Sequence, residues 1–209
     1  MEEYECTYEY GSAAPSHTAS YLWPPIFTVL DREIPDRASV FDLGCGNGAF
    51  ASEAETRGYD VTGVDPSEEG IQQARSAHPE LNVHVGSAYD DLRVKYGTFE
   101  AVVSLEVIEH VYSPRKYAAC VYSLLEGGGI ALISTPYHGY WKNLALAITG
   151  KMDEHFTALS THGHIKFWSR DTLGQLLDET GFENIRFRRV GRIPPLAKSM
   201  IAIAEKPDS

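Results

Sequence analysis

The chain has 209 residues, 43% hydrophobic and 22% charged, which suits one globular domain with a sizeable buried core. A formal net charge of -11 argues against general affinity for nucleic acid, which calls for a basic face that displaces counterions. Cys6, Cys45 and Cys120 are too far apart for a disulfide framework or a zinc motif, the acidic N-terminus has no signal-peptide pattern, and no stretch approaches transmembrane length; a soluble, cytoplasmic protein is expected.

Residues 1–14, with Glu2, Glu3, Tyr4, Tyr8 and Tyr10, read as a loose tail or a flap over a ligand. From Ser16 to Ile34 an apolar stripe of Tyr21, Leu22, Ile26, Phe27 and Leu30 predicts helix, broken into two short helices by Pro24-Pro25. Ser39 to Leu43 predicts a buried strand, followed by Gly44, Gly46 and Gly48, which allow a sharp turn and close backbone approach to a ligand. A helix over Ala49 to Arg57 closed by Gly58 and a strand over Tyr59 to Val64 ending at Asp65 complete a βαβ unit. Pro66-Ser67-Glu68-Glu69 opens a helix to about Ala77, and Asn82 to Val85 is the next strand, leading into the loop Gly86 to Asp90. Thr98 to Leu105 is a fourth strand, Glu106 to Val111 a loop or helical turn, Pro114 to Leu125 a helix ending in Glu126-Gly127-Gly128-Gly129, and Ile130 to Ser134 a fifth strand.

This alternation implies a Rossmann-like, doubly wound, mostly parallel sheet in the α/β class, with a ligand site beyond the strands' carboxyl ends, where Gly44, Asp65, Ser87 and Glu106 fall. A helix over Ser169 to Thr180, stopped by Gly181, precedes strands at Asn184 to Val190 and Ser199 to Ala204. The short link between them requires an antiparallel hairpin. The expected organisation is residues 1–38 as flap and helices, 39–136 as cofactor core, 137–168 as a lid or substrate insertion, and 169–209 completing the same domain.

Gly44, Gly46 and Ala49 satisfy G-x-G-x-x-G/A, so the glycines alone leave a nicotinamide cofactor and S-adenosylmethionine both open. Asp65 is placed to accept hydrogen bonds from both ribose hydroxyls of a nucleoside, or to serve only as a helix N-terminal acid before Pro66. Asp42 orients the glycine loop, reaches the cofactor amine through water, or bonds backbone amides as a buried strand-end acid. Cys45 reads as a small apolar residue of the loop.

The segments Val40 to Ala49, Val61 to Ser67, Gly86 to Asp91, Phe99 to Val111 and Leu124 to Pro136 together resemble the successive motifs of class I S-adenosylmethionine-dependent methyltransferases. The resemblance implies a seven-stranded sheet and contacts from Gly44, Cys45 and Gly46 to the methionine part. Asp65 with Pro66 would lie at the ribose, Ser87 and Ala88 beside the adenine, and Leu105 and Glu106 facing the cofactor. More narrowly, Glu106 to Val111, Thr135-Pro136 and Thr161 to His164 resemble the ubiquinone-biosynthesis O-methyltransferases. That likeness implies Mg2+ on Glu106, Glu109 and His110, and O-methylation of a small hydroxylated, phenolic acceptor. The alternatives are His110 as a metal-free base with Glu109 behind it, N- or C-methylation, or a non-catalytic cofactor-binding module.

Tyr137 to Trp168 is too long for an ordinary connection and reads as the substrate-selecting insertion. Tyr140, Trp141, Leu144, Ala145 and Ile148 recur at helical spacing, to cap an aromatic substrate, pack on the domain or touch a membrane transiently. Asp153, Glu154, His155, His162 and His164 are the residue types of a second metal site, but their spacing matches no established ligand motif, and His162 or His164 as a substrate-site base is the better reading. The expected partner is a small methyl acceptor, the chain being a monomer or homodimer.

Overall fold

The computed structural model describes residues 10, 12–156, 158–159 and 163–208. Its strands are β1 (Ser39–Leu43), β2 (Asp60–Asp65), β3 (Asn82–Val85), β4 (Phe99–Leu105), β5 (Leu125–Pro136), β6 (Glu183–Val190) and β7 (Ser199–Glu205). Its helices are α1 (Ala19–Glu33), α2 (Ala49–Thr56), α3 (Glu68–Ala77), α4 (Leu92–Tyr96), α5 (Pro114–Leu124), α6 (Tyr140–Ile148), α7 (Met152–Phe156) and α8 (Arg170–Thr180). One seven-stranded sheet runs in the order β3-β2-β1-β4-β5-β7-β6. The first five strands pair in parallel, while β7 pairs antiparallel with both β5 and β6.

Strands of a sheet covered on both faces are near-continuous apolar runs, as Val40, Phe41 and Leu43 illustrate. Phe41 and Leu43 join the core under α5 and α8, with Tyr117, Val121, Leu124, Leu173 and Leu177. Val40 faces the other core, under α1, α2 and α3, with Leu22, Phe27, Phe50, Ala51, Ile71 and Ala74. Trp168 anchors the first core, and its indole N–H donates to the Ile108 carbonyl at 3.3 Å.

Three expectations are corrected. The prolines do not divide the first helix: Pro24 and Pro25 lie inside a continuous α1. Each costs about 3 kcal/mol or more in a helix interior. Five large side chains of α1, Leu22, Ile26, Phe27, Val29 and Leu30, are buried at about 1.5–3 kcal/mol each and hold both halves on the sheet. Ser20, whose carbonyl loses its helical donor to Pro24, is itself exposed, so water can replace that bond. The glycines after α5 are not a turn before the strand but part of β5, where Gly128 and Gly129 exchange backbone bonds with Lys206. The helix α4 has no counterpart in the expected elements; its signal was Asp91, whose carboxylate accepts from the Val94 amide as an N-cap.

The insertion carries α6 and α7, and neither helix has a buried residue. Tyr140, Trp141 and Ile148 are 72%, 64% and 76% exposed, so most of the apolar face of α6 stands open, while Leu144 on the same face is half-buried. Among the described residues, no helix is long and apolar enough to cross a membrane.

Candidate active site

The glycine turn is built from its backbone. The amides of Gly44 and Cys45 both donate to the Val64 carbonyl, at 2.7 and 3.1 Å, which folds the turn over the end of β2. Gly44 has φ +87, and a Cβ there would stand 2.3 Å from Val107 Cγ2. Gly44→Ala should therefore lower stability by about 2–4 kcal/mol, combining left-handed strain with displacement of the Val107 loop. The measurement is a reduced urea midpoint at unchanged m-value; a midpoint equal to wild type would refute the clash.

Asp65 closes this turn. Its Oδ2 accepts from the Gly46 amide at 2.9 Å and its Oδ1 from the Ser67 amide at 2.8 Å, so one carboxylate joins the glycine turn to the start of α3. Ser67 caps α3 by accepting from the Gly70 amide. Burial pushes the Asp65 carboxyl up from its ordinary value, opposed by the bonds from Ser67, Gly46 and Tyr10. The Asp65 carbonyl receives the Gly86 amide, bringing the Ser87–Ala88 loop alongside, while Pro66 stands exposed at the rim.

Tyr10 covers the same place. Its hydroxyl donates to Asp65 Oδ2 at 3.4 Å, its amide donates to Glu69, and its ring lies where Cβ atoms on Gly46 or Gly70 would clash. Asn47 donates to the carbonyls of Ser12 and Ala14, holding the segment across the glycine turn. The other named residues of the expected flap, Glu2, Glu3, Tyr4 and Tyr8, lie outside the described residues.

Beneath the turn, Asp42 is fully buried and its Oδ2 has no hydrogen-bond partner. Burial, with the Asp65 charge behind it, pushes its carboxyl up to about 8. Burial chiefly, with Asp42 and Asp65 adding to it, also raises the Cys45 thiol well above its usual range, in keeping with a packing role.

At the end of β4, Leu105 is half-buried, and Glu106 takes a left-handed backbone at φ +56, a conformation costing about 1–3 kcal/mol for a non-glycine residue. Its amide donates to the carbonyl and hydroxyl of Ser134, and its carboxylate accepts from Ser134 Oγ at 2.8 Å and Ser199 Oγ at 3.2 Å. Burial lifts this carboxyl to about 7 against those two bonds and the Lys142 charge.

Glu109 is 1% exposed, and the Thr135 hydroxyl faces it without closing a hydrogen bond. Burial first, and the nearby Glu106 charge second, push it well above the ordinary carboxylate range. His110 stands exposed beside it, its ring centroid 5.0 Å from that of His164. His164 Nε2 lies 3.9 Å from Glu109 Oε1. Burial, with His110 next, lowers His164 to about 4, so this approach is not an ion pair near neutral pH. Ligand atoms of Glu109, His110 and His164 all lie within 4.8 Å of one another. Glu106 does not join them, because Ser134 and Ser199 hold its carboxylate. The magnesium set implied by resemblance is thus not the set brought together. Two imidazoles and one carboxylate also fit poorly to an ion that prefers oxygen.

His164 was not assigned to this cluster from the sequence. It arrives because the Ile165 and Lys166 amides both donate to the Glu109 carbonyl, at 2.9 and 3.0 Å. His155 stands elsewhere, against His138 and Phe156, and His162 lies outside the described residues. His138 was missed as well: it is 8% exposed, its Nδ1 has no hydrogen-bond partner, and burial lowers it to about 4.

A family model described as a methyltransferase domain matches residues 16–186. The chain belongs to the S-adenosylmethionine-dependent methyltransferase family. This methyltransferase is 33% identical over 151 residues to a ubiquinone biosynthesis O-methyltransferase of Dinoroseobacter shibae, covering 70% of this chain but only 60% of that relative. To the Roseobacter denitrificans protein of the same name it is 31% identical over 193 residues, 85% of this chain and 77% of the relative. Its fold is that of an S-adenosylmethionine-dependent methyltransferase from Methanosarcina mazei, with TM-score 0.65 at 19% identity, covering 87% and 98% of the two chains.

Proposed function

We propose that this methyltransferase domain moves the methyl group of S-adenosylmethionine to the oxygen of a small hydroxylated acceptor of the phenol class. The observation that carries the reading is the carboxylate of Asp65, held by the Gly46 and Ser67 amides at the strand-end cleft. In this reading Asp65 accepts from the ribose hydroxyls, Gly44 to Gly46 back the methionine part, and Ser87 and Ala88 flank the adenine. Leu105 and Glu106 form the floor. When bound, S-adenosylmethionine supplies a methyl on a sulfonium already activated for displacement, so the protein's work is chiefly alignment. Glu109 and His110 then serve the acceptor, with an imidazole lone pair taking up the hydroxyl proton. Support for oxygen as the acceptor atom comes from the named relatives, the ubiquinone biosynthesis O-methyltransferases.

The test is a product screen by mass spectrometry, offering catechols and monophenols beside primary amines. A methyl gain confined to the phenols is expected; a gain confined to amines would overturn the oxygen assignment. In the active pair, His110→Ala should lower kcat about 100-fold or more, the low end of general-base effects, while S-adenosylhomocysteine affinity stays at the wild-type value. Since His110 is exposed, this variant should keep its thermal midpoint. An unchanged kcat would remove His110 from the proton path.

A further inference from the structure

The Asp65 carboxylate has fewer open acceptor positions than the ribose contact needs. A carboxylate offers about four such positions on its two oxygens. The Gly46 amide takes one on Oδ2, the Ser67 amide one on Oδ1, and the Tyr10 hydroxyl a further one on Oδ2. About one position is left, whereas the two ribose hydroxyls require two. The amides of Gly46 and Ser67 belong to the glycine turn and to the cap of α3, so neither can be given up without loosening the fold. The Tyr10 bond is also the longest of the three, at 3.4 Å against 2.9 and 2.8 Å, and is the one that gives way first.

The ring adds to the conflict. A Cβ on Gly46 would stand 2.5 Å from Tyr10 Cε1, and one on Gly70 would stand 2.9 Å from Tyr10 Cδ2, so the phenol fills a slot that these two glycines leave open. Gly46 is the residue assigned above to the methionine part of the cofactor. Three bonds hold the segment in place: the Tyr10 amide donates to Glu69 Oε2 at 3.1 Å, and Asn47 Nδ2 donates to the carbonyls of Ser12 and Ala14 at 2.7 and 3.0 Å. Both Asn47 bonds fall after Tyr10 in the chain. Tyr10 can therefore leave Asp65 while Ser12 and Ala14 stay tied to the turn.

We propose that Tyr10 gates the ribose subsite: its hydroxyl and ring occupy the places of a ribose hydroxyl and of the methionine part, and the cofactor enters only when Tyr10 has swung away. The proposal rests on the assignment of the ribose to Asp65. Such a gate works in the opposite sense to a flap that closes over a bound ligand, because it favours the empty site. The apparent dissociation constant is the intrinsic one divided by the fraction of protein with Tyr10 withdrawn. Withdrawal governs entry. With the cofactor in place Tyr10 has no position on Asp65 to return to, so release does not depend on it.

S-adenosylhomocysteine would be titrated calorimetrically into wild type, Tyr10→Phe, Tyr10→Ala and Asp65→Ala, with on-rates and off-rates from stopped-flow mixing and circular dichroism to check folding. Tyr10→Phe keeps the ring and loses only the hydroxyl; it should bind about threefold to tenfold tighter, the scale of one modest hydrogen bond, through a faster on-rate at an unchanged off-rate. Tyr10→Ala also empties the slot over Gly46 and should gain at least as much. Wild-type affinity in Tyr10→Phe, or a gain carried by slower release, would overturn the gate. Weaker binding by either Tyr10 variant would overturn it too, and would make Tyr10 a flap that holds the cofactor. Asp65→Ala separates the two readings: lost affinity there with no gain in Tyr10→Phe refutes the gate alone, whereas wild-type affinity in Asp65→Ala removes the ribose assignment and the gate with it.

Discussion

Asp65→Ala should weaken S-adenosylhomocysteine binding about 100- to 10,000-fold in a calorimetric titration. Each hydrogen bond to a charged group contributes about 1.5–3 kcal/mol, and the proposed ribose contact makes two of them. The sum, about 3–6 kcal/mol, corresponds to two to four powers of ten. The substitution also leaves the Gly46 and Ser67 amides without their carboxylate partner, loosening the turn that backs the methionine part. Asp65→Asn, which keeps one carbonyl acceptor but loses the charge, should fall between alanine and wild type. NAD, titrated alongside, should not bind. Unaltered S-adenosylhomocysteine affinity in Asp65→Ala would sink the ribose assignment, and binding of NAD alone would point to hydride transfer instead.

The second large effect is on stability. The Asp42 carboxyl titrates near 8 in the folded chain against an ordinary value of 3.8, because it is wholly buried and Asp65 lies close. The folded state thus holds a proton that the unfolded state gives up, so stability is full below the unfolded value and is lost as pH rises towards the folded one. The slope is about 1.4 kcal/mol per pH unit and flattens near the folded value, giving a loss of about 2 kcal/mol between pH 6 and pH 8. Asp42→Asn removes this titration. Urea melts at the two pH values should show a markedly smaller loss for the Asp42→Asn variant than for wild type. Equal losses in the two proteins would mean that Asp42 titrates normally in the fold.

Most of the parallel half of the fold was legible because each strand is an apolar run bounded by residues that stop it. Asn82 to Val85, set between Leu81 and Gly86, was placed to the residue. Asp65 and the glycine turn were legible for a similar reason: their positions follow from a strand end, which local pattern reveals. What escaped was decided by packing at a distance. Local propensity puts a break at Pro24-Pro25, yet burial on the sheet holds one helix through it. Glu109 and His164 are far apart in sequence, and their meeting depends on two backbone amides donating to one carbonyl. Nothing in the spacing of His164 foretells that. The contact of Tyr10 with Asp65 is likewise a long-range contact, visible in the sequence only as an aromatic-rich beginning.

The place of β7 in the sheet has a consequence for the nascent chain. This strand, near the end of the sequence, fills the slot between β5 and β6 and bonds to both. Until residues 199–205 have been synthesised, β5 has an unpaired edge of apolar residues, including Ile130, Leu132 and Ile133. An open edge of that kind is a template for pairing with another chain. Productive folding therefore waits on a late, non-local pairing, and the partly made protein is the species most exposed to aggregation during translation.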